Sequence, residues 1–185
     1  IPADLVIAAY ALSELPTDGE RAAAARTLYK NTAPGGVLVV LERGTPFGAH
    51  TVRCAREQLL GEGGAWHNMG ANASEERLSD AASDTAPVVL AACTHCRPCP
   101  AVGNSQWCHF TQRVPVTRFL GRKHAQSRES MDEKLSFIAV AKPLPSNAES
   151  NIDAGTARPT LSRVVRRPLK GKGHTTLDLC TEAGL

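Results

Sequence analysis

The sequence predicts an α/β fold: a parallel sheet of the doubly wound kind with an inserted cysteine-rich metal-binding loop. Near-continuous apolar runs over residues 4–12 and 37–41 predict the sheet, because strands buried on both faces carry such runs. Helical patterns lie between and after them, and strand–helix alternation is the unit of a doubly wound sheet. Four of the six cysteines fall within the sixteen positions 93–108. This crowding predicts the loop, because thiolates bind soft metals.

The composition indicates a globular chain of one domain. Its 185 residues suffice for a single core, and 42% of them are hydrophobic. The net charge of +3 is small, so partners are inferred from how the charge is distributed. No apolar run approaches the ~20 residues that cross a bilayer, and we therefore expect no membrane partner. The chain opens at Ile1 inside a predicted strand, so we expect a preceding segment in which any transit peptide would lie.

Two helices are predicted around the second strand. Thr17 and Glu20 have the spacing of a capping box, which predicts a helix from that point through Lys30. The Pro-Gly-Gly run at 34–36 turns the chain into the second strand. A helical pattern then returns from about His50 to Leu60.

Composition divides the chain into six segments. The two inserts are rich in Gly, Ser, Asn and Pro and lack periodicity, whereas the segment before residue 143 has the β-branched character of a strand. The predicted segments are 1–60 (partial sheet core), 61–86 (flexible insert), 87–128 (cysteine-rich and basic), 129–142 (further core strand), 143–160 (second flexible insert) and 161–185 (basic C-terminal segment).

A ligand site is predicted where the first two strands end. Ligands of doubly wound sheets bind beyond the carboxyl ends of the strands. The candidate cofactor-binding residues there are Tyr10, Ser13, Glu14 and Glu42. The alternative is that Glu14 and Glu42 are solvated loop carboxylates.

The cysteine spacing narrows the choice of metal. Cys93, Cys96 and Cys99 form a C-x-x-C-x-x-C run followed by proline, which resembles the iron–sulfur run of bacterial ferredoxins, where a remote cysteine completes a cluster. Zinc is the alternative, since it accepts four cysteines or three cysteines and a histidine. The remaining interpretation is ordinary buried or free thiols. Further candidate ligands are His95, Cys108 and His109.

Two basic runs follow the cysteines. Clustered Arg and Lys side chains are the electrostatic footprint of a protein that tracks a phosphate backbone, although such runs are also common on solvated faces. We therefore expect RNA binding. The candidate RNA-binding residues are Arg113, Arg118, Arg122 and Lys123 in the first run, and Arg166, Arg167, Lys170 and Lys172 in the second.

Several motifs carry a family resemblance. The stretches DLVIAAYALSELP and PGGVLVVLERGTPFG resemble the fourth and fifth strand regions of class I S-adenosylmethionine-dependent methyltransferases. The Glu-Arg-Gly-Thr-Pro form is similar to the methyltransferase-like proteins of the mitochondrial small ribosomal subunit. So are Cys99-Pro100, the WCHF run at 107–110, MDEKLSFIAVAKP and RRPLKGKGHTTLDLC, in the same order. The resemblance implies the C-terminal part of a Rossmann-like methyltransferase sheet.

The resemblance also implies a cofactor, a compartment and partners. The family's four-iron, four-sulfide (4Fe–4S) cluster would be held here by Cys93, Cys99, Cys108 and Cys180, whereas spacing alone selects Cys93, Cys96, Cys99 and one further ligand. We favour the family set and keep Cys96 as the alternative ligand. The implied location is the mitochondrial matrix, and the implied partners are the small ribosomal subunit and its rRNA.

Three functions are compatible with these observations. The first is an assembly or translation factor of the small ribosomal subunit that binds rRNA through basic segments organised by the cluster. The second is an active S-adenosylmethionine-dependent RNA or protein methyltransferase; no residue predicts catalysis, because Ser-Glu-Leu-Pro at 13–16 stands where base-amine methyltransferases carry Asn-Pro-Pro-aromatic. The third is a zinc-binding or redox-sensing RNA-binding module.

Overall fold

The computed structural model describes residues 1–61, 87–101, 107–115, 130–144, 162–165 and 168–181. The predicted flexible inserts lie almost entirely outside these residues. Two helices, a short 3₁₀ turn and nine strands occur in the described part. In chain order they are β1 (Ala3–Ala9), the 3₁₀ turn (Leu12–Glu14), α1 (Asp18–Lys30), β2 (Thr32–Arg43), α2 (Pro46–Leu59), β3 (Val88–Ala91), β4 (Phe110–Pro115), β5 (Ser130–Ala141), β6 (Arg163–Val164), β7 (Leu169–Gly171), β8 (His174–Thr176) and β9 (Leu179–Cys180).

The main sheet has the order β1-β2-β5-β3, and β4 pairs with the first half of β5. β1 and β2 are parallel, whereas β5 is antiparallel to β2, β3 and β4. β1, β2 and β3 therefore run in one direction, with β5 reversed among them. This mixed α/β arrangement fits a Rossmann-like sheet, and β5 is the further core strand predicted at 129–142.

The core lies on one face of this sheet. Leu38 and Val40 of β2 and Ile138 and Val140 of β5 are completely buried and form one cluster with residues of α1 and α2. Both helices thus cover the same face. The residues that alternate with these buried positions along β2 and β5 are only half-buried.

The prediction that the first strand is buried on both faces is wrong. Leu5 and Ile7 of β1 are 57% and 60% exposed. In the described part of the chain β1 has a single neighbour, β2, and the helices pack on the opposite face. The apolar run indicated a strand correctly but not its surroundings.

The two helices begin at N-terminal caps, one at the predicted residue and one earlier. The predicted capping box is present: the Thr17 hydroxyl accepts from the Glu20 amide at 3.2 Å, and the Glu20 carboxylate accepts from the Thr17 amide at 3.1 Å. α2 begins about one turn earlier than predicted. Its N-cap is Thr45, which accepts from the Gly48 amide at 3.1 Å, and Pro46 occupies the first turn. The Thr-Pro pair at 45–46 indicates this earlier start, because proline is favoured at the first helical position.

Within the described residues, neither helix is long and apolar enough to span a bilayer.

Candidate metal centre

Four cysteines from three separate parts of the chain come together beside the sheet. Cys93 and Cys99 lie in the loop after β3, Cys108 lies just before β4, and Cys180 ends β9. The first three line one cavity of about 50 Å³ between α2 and the sheet. Cys180 contacts the same loop, with its Sγ 3.6 Å from His95 Nε2. We call these four residues the cysteine centre.

Burial raises the pKa of three thiols of the cysteine centre, namely Cys93, Cys108 and Cys180. Burial, and then the charges of neighbouring thiols, raise the pKa of Cys108 to about 11, although Arg163 opposes them. Burial also raises the pKa of Cys180, and the charges of Cys93 and Cys99 add to it. Without a cation these three thiols favour their protonated forms, and a bound metal would displace the protons.

Cys96 lies apart from the centre. Its side chain is exposed, and it does not line the cavity. The structure thus brings together the four cysteines of the family set and leaves out the thiol that spacing alone selects. Among the residues that the structure describes, no group of three or more His, Cys, Asp or Glu side chains is arranged to hold a single metal ion. Whether iron or zinc is bound stays a prediction.

The cysteine loop is fastened to α2 by two adjacent charged residues. Arg56 is 2% exposed, and its Nη2 donates to the carbonyls of His95 at 2.9 Å and Arg97 at 2.6 Å. Its Nη1 pairs with Glu57 at 2.6 Å. The same Glu57 oxygen accepts from the Cys99 amide at 3.2 Å. The helix therefore fixes the backbone of the loop on both sides of Cys96.

The strand beside β4 positions Cys108. The Ser136 hydroxyl on β5 donates to the Cys108 carbonyl at 2.8 Å. The Trp107 indole donates to the Gly44 carbonyl at the end of β2 at 3.1 Å. The Cys108 carbonyl and the Trp107 side chain are thus both bonded to the main sheet or to the residue that follows β2.

Arg163 joins the C-terminal strands to the same centre. It pairs in register with Cys180 across the β6–β9 ladder, and its Nη1 donates to the Ala92 carbonyl. Its guanidinium lies 3.8 Å from the centre of the Phe110 ring. Burial lowers the pKa of Arg163, and the charges of Cys108, Cys93 and Cys180 partly offset that effect.

Several buried polar atoms around the centre have no hydrogen-bond partner within the described part of the chain. They are Arg56 Nε, Thr94 Oγ1, His109 Nδ1 and Arg163 Nε. Such orphaned atoms are costly unless a further group satisfies them. Arg56 Nε, Thr94 Oγ1 and Arg163 Nε each carry a hydrogen atom and can donate a hydrogen bond. His109 Nδ1 can do so only when it is protonated. Buried thiols surrounded by unsatisfied donors fit a bound group that carries negative charge.

Sequence reasoning did not single out Arg56 or Glu57. The available signal was the position of Arg56 on the apolar face of α2, which has buried residues at 52, 55, 56 and 59. A charged residue at such a position needs a buried partner. That partner proved to be the backbone of a loop some forty residues away.

The four residues of the second predicted site, at the ends of β1 and β2, lie in three different surroundings. Glu42 is completely buried and accepts from the Ser13 amide at 3.1 Å and its hydroxyl at 2.7 Å, so it is not a solvated carboxylate. Glu14 is exposed. Tyr10, with a φ of 55°, lines an open cavity of about 550 Å³ together with Arg43–Thr45 and Asp132–Lys134.

The predicted RNA-binding residues are only partly described. Arg113 is exposed on β4 and pairs with Asp132 at 2.9 Å. Lys170 and Lys172 are exposed on the hairpin formed by β7 and β8. The other five predicted residues lie outside the described residues, namely Arg118, Arg122, Lys123, Arg166 and Arg167.

Comparison with known proteins identifies relatives along the whole chain. The family model described as "Mitochondrial small ribosomal subunit Rsm22" matches residues 1–185. The human ribosome assembly protein METTL17, mitochondrial, is 28% identical over 182 residues, covering 98% of this chain and 33% of the human protein. The Rsm22-cox11 tandem protein 2 of Schizosaccharomyces pombe is 28% identical over 95% of this chain and 24% of its own length. The ribosome assembly protein RSM22 of Saccharomyces cerevisiae is 21% identical over 82% of this chain and 35% of its own length. The chain thus spans between a quarter and about a third of the length of these relatives.

Proposed function

The chain belongs to the Rsm22 family of mitochondrial small ribosomal subunit proteins, and from that premise we propose that it helps to assemble this subunit by binding its rRNA. The human and budding-yeast relatives are named as ribosome assembly proteins. The predicted mitochondrial location is confirmed, because the family description and all three relatives carry that compartment in their names.

We propose further that the cysteine centre holds a 4Fe–4S cluster. The observation that carries this proposal is that Cys93, Cys99 and Cys108 line one small cavity, while Cys180 contacts the same loop with its Sγ 3.6 Å from His95 Nε2. A bound cluster would supply covalent bonds that join the cysteine loop, β4 and the C-terminal strands.

The cluster would organise a basic surface for RNA. The β7–β8 hairpin with Lys170 and Lys172 emerges between β6 and β9, and this pair of strands carries Cys180. Fixing Cys180 therefore fixes the base of the hairpin. Ordering the hairpin before RNA arrives reduces the entropy lost on binding.

Metal analysis tests the cluster. The full-length protein, purified without oxygen, should contain iron and acid-labile sulfide in equal amounts and close to four of each per chain. Stoichiometric zinc without iron would contradict the cluster and leave RNA binding to be judged separately.

Salt-dependent binding to small-subunit rRNA tests the hairpin. We expect the Lys170→Gln, Lys172→Gln double variant to bind less tightly and to lose about two from the slope of log affinity against log salt. Lys30→Gln on α1 is the matched control. An unchanged slope in the double variant would remove the hairpin from the RNA surface.

A methyltransferase activity is the second candidate, favoured by the cavity of about 550 Å³ at the carboxyl end of β1. Isothermal titration of the full-length protein with S-adenosylmethionine should detect binding that Tyr10→Ala weakens. Absence of heat with the unaltered protein would exclude this candidate.

A further inference from the structure

The cysteine centre has two arginines beside its four thiols, one on α2 and one on β6. Buried arginine is rare unless its charge is compensated. Arg56 is 2% exposed, and Arg163 stands opposite Cys180 in the β6–β9 ladder with its Nη1 bonded to the carbonyl of Ala92, next to Cys93. Neither position was predicted as part of a metal site.

We propose that Arg56 and Arg163 are positioning residues of the metal centre: Arg56 fixes the cysteine loop, and Arg163 supplies positive charge that stabilises a bound anionic cluster. This inference rests on the proposed cluster and adds the residues that hold and tune it. Net charge and hydrogen bonds to sulfur are two of the factors that set the reduction potential of such clusters.

The contacts of Arg56 support a mechanical role. Its two hydrogen bonds to the carbonyls of His95 and Arg97 and its pair with Glu57 use the guanidinium terminus. The carboxylate of Glu57 compensates its charge and also accepts from the Cys99 amide. Arg56 and Glu57 therefore form a clamp that sets the path of the chain from position 95 to Cys99.

The surroundings of Arg163 support an electrostatic role. Arg163 stands opposite Cys180 in the β6–β9 ladder, and its guanidinium lies 3.8 Å from the centre of the Phe110 ring, which lines the same cavity as three of the cysteines. Its Nε is buried without a hydrogen-bond partner among the described residues, whereas its Nη1 is bonded to the Ala92 carbonyl. A cation with a spare donor beside several thiols is suited to an anionic group held by their sulfurs.

The two roles predict different effects. Removing the clamp should loosen the loop and accelerate cluster loss. Removing the Arg163 charge should destabilise the reduced state, which carries one more negative charge, and so shift the reduction potential to more negative values. Arg163→Lys keeps the charge and loses the planar donors, so it separates charge from hydrogen bonding.

The experiment compares Arg56→Gln, Arg163→Gln, Arg163→Lys and the control Arg26→Gln on α1 in the anaerobically purified full-length protein. Three quantities are measured for each: iron and sulfide content, the rate of cluster loss to an iron chelator, and the potential by dithionite titration with redox mediators. We expect about 10–100-fold faster loss for Arg56→Gln and Arg163→Gln. We expect a negative shift for Arg163→Gln, little shift for Arg163→Lys, and no change for Arg26→Gln.

If the unaltered protein contains no iron, the proposed cluster and this inference are overturned together. An intact cluster in the unaltered protein, with loss rates and potentials in Arg56→Gln and Arg163→Gln equal to those of Arg26→Gln, would overturn the inference alone. If Arg56→Gln fails to fold, the two Arg163 variants decide the outcome. A reduction potential in Arg163→Gln equal to that of the unaltered protein would contradict the electrostatic role.

Discussion

The sheet core and the cysteine centre lie side by side and are held together by different forces. In the core, Leu38, Val40, Ile138 and Val140 are fully buried against two helices, and apolar burial stabilises them. In the centre, strands β6 and β9 have two residues each, and the contacts are hydrogen bonds from charged side chains to backbone carbonyls. Apolar burial therefore stabilises the core, whereas the proposed cluster would be the main link within the centre.

The largest expected effect breaks the centre and spares the core. Cys108→Ser should abolish cluster retention, because one ligand is lost and burial favours the protonated forms of Cys93 and Cys180. Iron and sulfide analysis measures this, and circular dichroism checks that the helices persist. Cys96→Ser is the matched control, since Cys96 is exposed and outside the cavity. Equal iron loss in both variants would contradict the assignment of the four ligands.

The next effect breaks the core and spares the centre. Leu38→Ala should lower the free energy of unfolding by about 2–5 kcal/mol, because it leaves a cavity among packed side chains. Val39→Ala, on the half-buried face of the same strand, should cost clearly less. Denaturant unfolding measures both changes. The folded Leu38→Ala protein should still bind iron stoichiometrically, and loss of iron there would mean that the two regions are not separable.

A pH-dependent effect sharpens the contrast through Cys54, a buried thiol outside the centre. Burial raises the pKa of Cys54 to about 12. Since this lies above the unfolded value near 8.5, the native state holds the proton more tightly. The stabilisation is complete below about pH 8.5 and is lost as the pH rises towards 12.

Between pH 8 and pH 10 the Cys54 thiol should therefore contribute a loss of about 1–2 kcal/mol in the free energy of unfolding. Cys54→Ala should remove that part of the pH dependence. Val52→Ala, another buried change on α2, should leave it intact. The measurement is urea unfolding of the iron-containing protein at the two pH values. The same change in unfolding free energy for Cys54→Ala and the unaltered protein would contradict the prediction.

The smallest effect concerns a helix cap in the core. Thr17→Ala removes the capping box of α1 and should cost about 1 kcal/mol of unfolding free energy. Thr27→Ala on the exposed side of the same helix is the control, and thermal unfolding measures both. A Thr17→Ala protein as stable as the control variant would show that the cap is dispensable.

The sequence predicted the core better than the centre for a physical reason. The Thr17–Glu20 box and the apolar strands are local patterns, so α1 and β5 were found within a few residues. β2 begins at Thr32, so the Pro-Gly-Gly run at 34–36 that was predicted as a turn lies within the strand. The exposure of β1 was missed because it depends on neighbours and not on its own residues. Cys180 came from the family resemblance, since spacing favours Cys96. The Arg56 clamp joins a helix to a loop about forty residues away, and no local pattern encodes such a contact.

The most direct test of the difference between the two regions is amide hydrogen exchange of the full-length protein with its cluster and after removal of the iron. We predict that protection in β6, β9 and the β7–β8 hairpin is lost on iron removal, while β2 and β5 keep theirs. Unchanged protection in β9 would contradict the claim that a cluster anchors Cys180 to the cysteine loop.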